Sequence, residues 1–284
     1  MRKAVSRLIC CLLFAAIALA VVIAPITGAQ PPNQPEGSWS FAALGDSQNS
    51  PAIFAGLLRH IKIDPFKPEF LIHTGDLVDD GSQINQWVEY RKCLTILGNQ
   101  FPVYPAVGNH DILNTNGPKN FIKFGQPPDA KTYYFFRYRD AGFICLFAYK
   151  RKYRERIYRK QMDWLKKTLD EMSSDVRVIF VFLHPPLLTR EGFRHERPLQ
   201  NSARLREVLR AGGVTAVFSG HEHIFDHRSE AGIHYFITGG GGAPLDGKGE
   251  NSFHHYCRVI VSKDIVKVIA IDSRGRKRKE VLIK

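Results

Sequence analysis

The chain has 284 residues, of which 44% are hydrophobic and 24% are charged, a composition that excludes disordered and fibrous proteins. This length fits one large domain or two small ones, and it allows a buried core without disulfides or a structural metal. The formal net charge of +13 favours anionic partners such as phosphate esters, nucleic acid or acidic membrane surfaces. Solubility alone would also account for a basic excess.

The first 29 residues are predicted to be a secretory signal peptide. Arg2, Lys3 and Arg7 precede an apolar run at 8–24, and small residues follow it, as at a cleavage site. Cleavage predicts export to the periplasm or the outside, and leaves 37 basic against 27 acidic residues, a net charge of +10. The alternative is an uncleaved membrane anchor, because the 17 apolar residues are at the short limit for spanning a bilayer.

Composition then divides the rest of the chain into three parts. A Pro-rich linker is predicted at 30–38, the folded domain at 39–273, and a basic C-terminal tail at 274–284. The cysteines outside the signal peptide are Cys93, Cys145 and Cys257. Their odd number predicts at least one free thiol, and the apolar run around Cys145 predicts that this thiol is buried. The sequence has no Cys-x-x-Cys pair, so a thiolate zinc site is disfavoured.

The first half of the domain alternates strands with helices. The strands end at Leu44, before Asp76 and at Val107, and a helix is predicted over Ala52–Ile61. A second helix is predicted from Ser82 to Leu97, with Ser82 as its N-cap. Its predicted core-facing residues are Ile84, Trp87, Val88, Cys93 and Leu94.

The second half begins with a loop at 112–132, where one helical turn is predicted at Asn120–Phe124. The predicted elements that follow are a hairpin (Thr132–Arg139 and Gly142–Tyr149), a helix (Tyr158–Met172), a strand (Val176–Leu183), a helix (Ala203–Leu209) and four strands (Val214–Phe218, Ile233–Thr238, His255–Val261 and Ile265–Ile271). This alternation predicts two β-sheets packed together, with helices outside them.

Five apolar runs end in the same way, with a small residue or turn followed by Asp, Asn or His. The motifs are Gly45-Asp46-Ser47-Gln48, Gly75-Asp76, Gly108-Asn109-His110-Asp111, His184-Pro185 and Gly220-His221-Glu222-His223. Because ligands bind at the carboxyl ends of strands in open α/β sheets, the five strand ends predict one shared site.

The donors at these strand ends suit metal ions. The candidate ligands are Asp46, Gln48, Asp76, Asn109, His184, His221 and His223, with His110 beside them. Oxygen and nitrogen donors without thiolates favour hard or borderline metals. One ion takes about four to six ligands, some of them water. Seven protein donors therefore indicate two ions that share a bridging carboxylate.

With these five motifs in this order, the sequence resembles the calcineurin-like metallophosphoesterase superfamily from Phe41 to about Ile271. The resemblance implies an α/β fold, a double-layered β-sandwich flanked by helices in α/β/β/α order. It also implies a dinuclear centre of divalent or trivalent ions, for which Fe, Mn and Zn remain alternatives.

The resemblance further implies roles for individual residues. Asp46, Gln48 and His223 would hold one ion, Asn109, His184 and His221 would hold the other, and Asp76 would bridge them. The predicted catalytic residues are His110 and Asp111. His110 would face the substrate, and Asp111 would orient the His110 ring.

One position departs from the usual family pattern. The first motif of the family usually ends in His, whereas this chain has Gln48. Some members of the superfamily have Gln here, including a branch of serine/threonine phosphatases, so the difference indicates a subgroup. An amide oxygen is a weaker ligand than imidazole for borderline metals.

The sequence therefore predicts a dimetal-dependent phosphoester hydrolase, a phosphatase or a phosphodiesterase, in which a metal-activated water attacks phosphorus. It has neither the Gly-x-Ser-x-Gly motif of serine hydrolases nor a P-loop. The predicted partner is a phosphorylated substrate, and no obligatory protein partner is indicated. Arg190 and Arg194 are candidate substrate-binding residues, with a solvated loop as the alternative.

Monoesters, diesters, pyrophosphates and phosphoproteins all remain candidate substrates, because the loops at 112–132 and 186–200 would determine specificity. The alternative function is a catalytically impaired, secreted binding protein on the same fold. Such a protein would bind anionic ligands such as nucleic acid or lipid through its basic face.

Overall fold

Two six-stranded sheets form the centre of the computed structural model, which describes residues 37–149, 155–189 and 199–283. The strands are β1 (Trp39–Leu44), β2 (Leu71–His73), β3 (Val103–Pro105), β4 (Tyr134–Tyr138), β5 (Ala141–Cys145), β6 (Val178–Phe182), β7 (Ala216–Ser219), β8 (Phe225–Glu230), β9 (Ile233–Thr238), β10 (His255–Val261), β11 (Val266–Asp272) and β12 (Lys277–Ile283). The first sheet has the order β12-β11-β10-β1-β2-β3, and the second has the order β4-β5-β6-β7-β9-β8.

The helices connect these strands. They are α1 (Pro51–Lys62), α2 (Ile84–Leu94), α3 (Gly117–Asn120), α4 (Arg159–Met172) and α5 (Ser202–Ala211), with a π-helical turn at Phe121–Gly125 and a 3-10 turn at Pro128–Ala130. Among the described residues, none of the helices combines the length and the apolar character needed to cross a membrane. The predicted signal peptide, most of the predicted linker, Arg190 and Arg194 lie outside the described residues.

An aromatic layer fills the space between the two sheets. Its buried members include Phe41, Phe70, Phe143, Phe180, Phe182, Phe218 and Phe236. The ring of Phe41 in the first sheet lies 5.2 Å from Phe143 and 5.3 Å from Phe180 in the second, both edge to face. Burying one such side chain contributes about 1.5–3 kcal/mol, so this layer fixes the two sheets against each other.

Helices cover the outer face of each sheet. Helices α1 and α2 bury apolar side chains against the first sheet, and α4 and α5 do so against the second. The predicted core face of α4 is confirmed, since Met162, Leu165, Leu169 and Met172 are all buried. The layers therefore follow the predicted α/β/β/α order.

Parallel strands point their carboxyl ends toward one site. Strands β1, β2 and β3 run parallel in the first sheet, and β5, β6 and β7 run parallel in the second. Asp46, Asp76 and Asn109 follow the first three, and His184 and His221 follow β6 and β7. This topology accounts for the clustering of the five motifs.

The predicted start of the second helix is wrong, and its predicted core face is confirmed for Trp87, Cys93 and Leu94 but wrong for Ile84 and Val88. Helix α2 begins at Ile84 with Gln83 as its cap residue. The side chains of Ile84 and Val88, predicted to face the core, are 55% and 54% exposed. The helix is anchored by Trp87, whose indole N–H donates to the Gly81 carbonyl at 2.8 Å, and this fixes its rotation.

Two strands were not predicted. Strand β8 pairs antiparallel with β9, and β12 pairs antiparallel with β11 at the edge of the first sheet. The prediction of a basic tail over 274–284 is therefore wrong for Lys277–Ile283, the residues of β12. An edge strand exposes one side to water, so its lysines and arginines are compatible with a sheet.

The segment at 112–132 is more regular than the predicted loop. It holds α3, the π-helical turn and the 3-10 turn, which replace the single helical turn predicted at Asn120–Phe124. Phe121 is buried against the first sheet and α2, so packing of this side chain holds the segment in place. The predicted hairpin is confirmed as β4 and β5, which pair antiparallel.

Candidate metal centre

Three side chains from different strand ends meet at the centre of the predicted site. Asp46, Asp76 and His184 are 0%, 2% and 0% exposed, and one ligand atom from each lies within 4.8 Å of the others. The Nε2 atom of His184 is 3.2 Å from Oδ2 of Asp76 and 4.0 Å from Oδ1 of Asp46. Two buried carboxylates and an imidazole at this spacing could hold a metal ion.

The backbone at the site adopts an unusual conformation to aim these groups. Asp46, Asp76 and His221 have φ angles of 59°, 55° and 71°, in the left-handed region that residues other than glycine seldom occupy. Two motif glycines leave room for the carboxylates. A Cβ atom on Gly108 would lie 2.0 Å from Oδ1 of Asp76, and one on Gly220 would lie 2.3 Å from Oδ2 of Asp46.

A second group of ligands adjoins His184. The Nδ1 atom of His221 lies 3.2 Å from Nε2 of His184 and 3.1 Å from Oδ1 of Asn109. The hydroxyl of buried Tyr149 donates to the same Asn109 oxygen at 3.4 Å, a contact that the sequence did not predict. His184, His221 and Asn109 thus converge as the resemblance implied.

Gln48 and His223 also contact the two carboxylates. Nε2 of His223 is 3.5 Å from Oδ1 of Asp46, and its Nδ1 is 2.7 Å from the Pro244 carbonyl oxygen. The Nε2 amide of Gln48 donates to Oδ2 of Asp76 at 3.4 Å. The Gln48 Oε1 atom is buried without a hydrogen-bond partner among the described residues.

Backbone carbonyls orient the imidazole ligands. Nδ1 of His184 lies 3.0 Å from the Thr74 carbonyl oxygen. Nδ1 of His223 faces the Pro244 carbonyl oxygen in the same way, at 2.7 Å. A ring that donates from Nδ1 presents the unprotonated Nε2 for coordination, which is how ligating histidines are usually held. Nε2 of His221 lies 3.9 Å from a carboxylate oxygen of Glu155, another residue that the sequence did not single out.

His110 has a different partner from the one predicted. Its Nδ1 atom lies 2.6 Å from the Asp79 carbonyl oxygen and 3.4 Å from the Asp79 carboxylate. The Asp111 carboxylate instead accepts backbone N–H groups, from Gly108 and Asp76 at 2.8 and 2.9 Å and from Leu77 and Val78 at 2.8 and 3.3 Å. Asp79 therefore orients the ring, and Asp111 fixes two strand ends.

The buried charges shift one another's pKa. Burial acts to lower the pKa of His184, but the Asp76 and Asp46 carboxylates outweigh it and raise that pKa to about 10. Burial raises the pKa of Asp46, whereas the closer contact with His184 outweighs burial at Asp76 and lowers its pKa. Burial acts to lower the pKa of His223 as well, but Asp46 raises it to about 9. The two carboxylates thus attract positive charge, which a proton or a metal cation supplies.

The donor set fits a metal ion. It consists of carboxylate oxygens, imidazole nitrogens and amide oxygens, the ligands of hard and borderline metals. A buried acceptor without a partner, such as Oε1 of Gln48, costs about 1–3 kcal/mol, and coordination of a cation would satisfy it. The side chains present therefore suit the metal-dependent chemistry that the resemblance implied.

Other histidines near the site have structural partners. The Nε2 atom of His73 lies 2.9 Å from the Ser47 hydroxyl, and burial lowers the pKa of His73 to about 3. His255 is buried between Thr238 and Phe253. The glycine run at 239–242 permits close backbone approach, since a Cβ atom on Gly241 would lie 2.3 Å from the Gly45 carbonyl oxygen.

The fold thus places a candidate metal site at the carboxyl ends of its parallel strands. The family model for calcineurin-like phosphoesterases matches residues 40–225, and the chain belongs to this family. The match takes in β1 to β7 and all five motifs, and ends at the first residue of β8.

Two curated proteins are similar to the chain. It is 30% identical over 179 residues to the 3',5'-cyclic adenosine monophosphate phosphodiesterase CpdA of Haemophilus influenzae, and the aligned residues cover 62% of each chain. It is 26% identical over 197 residues to a probable cyclic nucleotide phosphodiesterase of Rhodococcus erythropolis, and the aligned residues cover 67% of this chain and 63% of that protein. The chain thus spans just under two thirds of the length of these relatives.

The fold is also similar to solved structures. The purple acid phosphatase PPD1 of yellow lupin seeds (Lupinus luteus) superimposes with a TM-score of 0.70 at 15% identity, over 87% of this chain and 54% of that one. At this identity, the similarity supports the α/β/β/α architecture.

Proposed function

We propose that the chain is a metal-dependent phosphodiesterase. The observation that carries this proposal is the convergence of Asp46, Asp76 and His184 within 4.8 Å in a buried site of a calcineurin-like phosphoesterase. Diesters are favoured over monoesters because both curated relatives are named as cyclic nucleotide phosphodiesterases.

We propose that seven residues hold two ions, each of Fe, Mn or Zn. Asp46, Gln48 and His223 would ligate the first ion, and Asn109, His184 and His221 the second. Asp76 would serve both, which agrees with the contacts that its Oδ2 atom makes with His184 and with Gln48. Bound ions would lower the pKa of an attacking water and offset the negative charge that develops on the phosphoryl oxygens.

The side chains around the ions would position the reacting groups. The Nδ1 atom of His110 is committed to Asp79, so Nε2 is the ring nitrogen left for the substrate. From there it can stabilise the developing charge or give a proton to the leaving oxygen. The His110 backbone N–H donates to Oδ1 of Asp76 at 2.9 Å, so the ring stands next to the carboxylate proposed to bridge the ions.

The test combines elemental analysis with hydrolysis of bis(p-nitrophenyl) phosphate, a diester, and of p-nitrophenyl phosphate, a monoester. We expect the diester to be hydrolysed faster. Asp76→Ala should lose both ions and activity, because this carboxylate would serve both. His110→Ala should keep both ions and lose about 10²–10⁴-fold in rate, the typical contribution of a general acid or base.

Asp163→Ala is the matched control for Asp76→Ala, because Asp163 is an exposed aspartate on α4. It should keep metal and rate. Two retained ions in Asp76→Ala would contradict the bridging role, and metal loss in His110→Ala would make that residue a ligand. A metal-poor, inactive protein that binds nucleic acid or anionic lipid tightly, and less tightly in salt, would favour the binding-protein alternative.

A further inference from the structure

A cavity of about 470 Å³ lies beside the proposed metal centre. Gln48, a proposed ligand, and Asp79, the partner of His110, both contribute to its wall. The cavity therefore adjoins the place where the phosphoryl group would bind. Its volume is within the range of small-molecule sites, about 300–1,000 Å³.

The charge of this cavity is opposite to that of the chain. The chain has 40 lysines and arginines and a net charge of +13. The described residues that line the cavity nevertheless include no lysine, arginine or histidine, whereas Asp79 and Glu89 contribute two carboxylates. Such a cavity repels a second anionic group on a substrate and attracts a cationic one.

Glu89 is the carboxylate less committed to other groups. Asp79 already faces His110, at 3.4 Å from Nδ1. Glu89 is paired at 4.0 Å with Lys92, whose side chain is 76% exposed. A surface ion pair of this kind contributes about 0–1 kcal/mol, so a ligand cation can replace Lys92 at little cost.

Aromatic rings form part of the cavity wall. Phe54 and Tyr90 both line it, and their rings stack with centroids 5.7 Å apart. Carboxylates beside aromatic rings are a common environment for ammonium groups in proteins, because the ring faces and the carboxylates both attract positive charge.

We infer that this cavity binds a cationic organic group of the substrate, so that the preferred phosphodiesters are esters of an amino alcohol such as choline. The inference rests on the proposed function, in which the metal centre holds the phosphoryl group while the cavity takes one of the alcohols esterified to it. Glu89 would determine the preference for charge, and the rings would contact the alkyl groups.

The test uses two chromogenic diesters of the same shape. One is p-nitrophenyl phosphorylcholine, and the other is p-nitrophenyl 3,3-dimethylbutyl phosphate, which has carbon in place of the ammonium nitrogen. We expect the metal-loaded wild-type protein to favour the cationic ester about tenfold in kcat/KM. Glu89→Gln, which keeps the shape and removes the charge, should bring this ratio close to one.

Glu207→Gln, which changes an exposed carboxylate on α5 that is not among the described lining residues, is the control and should keep the wild-type ratio. Bis(p-nitrophenyl) phosphate reports the proposed function separately. If this diester is hydrolysed but the two matched esters are used equally, or not at all, the inference is overturned and the function stands. An unchanged ratio in Glu89→Gln also overturns it. If no diester is hydrolysed, both the function and the inference fail.

Discussion

The Nε2 atom of His184 lies 3.2 Å from the Nδ1 atom of His221. Without a metal, a proton between these two nitrogens keeps their lone pairs from facing each other, which agrees with the raised pKa of His184. The Nδ1 atom of His221 also faces Oδ1 of Asn109, which is a pure acceptor, at 3.1 Å. A metal cation in place of that proton would satisfy both ring nitrogens and the Asn109 oxygen.

We therefore expect metal to stabilise the folded protein. A ligand at 100 times its Kd raises the free energy of unfolding by about 2.7 kcal/mol, which is about 5–10 °C in Tm for a domain of this size. A thermal scan with Mn²⁺ or Zn²⁺ and with a chelator measures the shift. His184→Ala should abolish most of it, whereas His60→Ala, on α1, should not. Equal shifts in these two variants would show that metal binds elsewhere.

Gln48 gives a sharper test of how the ligands are divided. If its buried Oε1 atom binds the first ion, Gln48→Ala should lower the metal content from two ions to one. Gln48→His should restore two ions and bind the first more tightly, because imidazole is the better donor for borderline metals.

Elemental analysis of both variants, with Gln83→Ala as the control, distinguishes the possible roles of Gln48. Full metal content with a lower rate in Gln48→Ala would mean that the amide only orients a water. Unchanged metal content and unchanged rate would remove Gln48 from the site.

Asp111 is expected to act on stability rather than on the chemical step. Its carboxylate accepts four backbone N–H groups, including those of Gly108 and Asp76. Asp111→Ala would leave these buried donors without partners, at a cost of about 1–3 kcal/mol for each unsatisfied group. We expect the free energy of unfolding, measured with urea, to fall by at least about 3 kcal/mol. Asp170→Ala, at an exposed position on α4, is the control. A wild-type midpoint for Asp111→Ala would contradict this role.

His255 predicts a dependence of stability on pH. Burial lowers its pKa from 6.5 to about 4, and this outweighs the hydrogen bond to the Phe253 carbonyl, which acts to raise it. The unfolded chain therefore takes up this proton first, and stability falls as the pH decreases from about 6.5 to 4. The full contribution of the neutral His255 ring to the free energy of unfolding is about 3 kcal/mol.

Unfolding free energies of the wild-type protein and His255→Gln, measured from pH 7 to pH 4, test this dependence. Over that pH interval, the free energy of unfolding of the variant should fall by up to about 3 kcal/mol less than that of the wild-type protein. Parallel curves for the two proteins would mean that His255 does not control this part of the pH dependence.

The sequence was most informative where local chemistry and strand order coincide. Each of the five motifs follows an apolar run, and the carboxyl ends of the strands bring Asp46, Asp76 and His184 together. The partners of these residues were not predictable, because they come from distant parts of the chain. Asp79 contacts His110 through its backbone carbonyl, and Tyr149 reaches Asn109 from the segment that follows β5. No residue type or spacing in the sequence indicates either contact.

The errors in the fold prediction have two physical causes. Ile84 and Val88 have the spacing of a buried helical face, but Trp87 and Tyr90 are larger and occupy the core, which turns the smaller side chains outward. The charges of Lys277, Arg278 and Lys279 predict a solvated tail where the structure has strand β12. An edge strand tolerates this composition, and nothing in the sequence shows that β11 has an open edge.

The left-handed backbone at Asp46, Asp76 and His221 has a consequence for protein engineering. Each such residue costs about 1 kcal/mol relative to glycine, so the polypeptide stores strain where it presents its ligands. A library selected for heat resistance alone would accumulate glycine at these positions and lose the metal centre as it gained melting temperature. Thermostable forms of this protein should therefore be sought by changes elsewhere, with metal content assayed in every round.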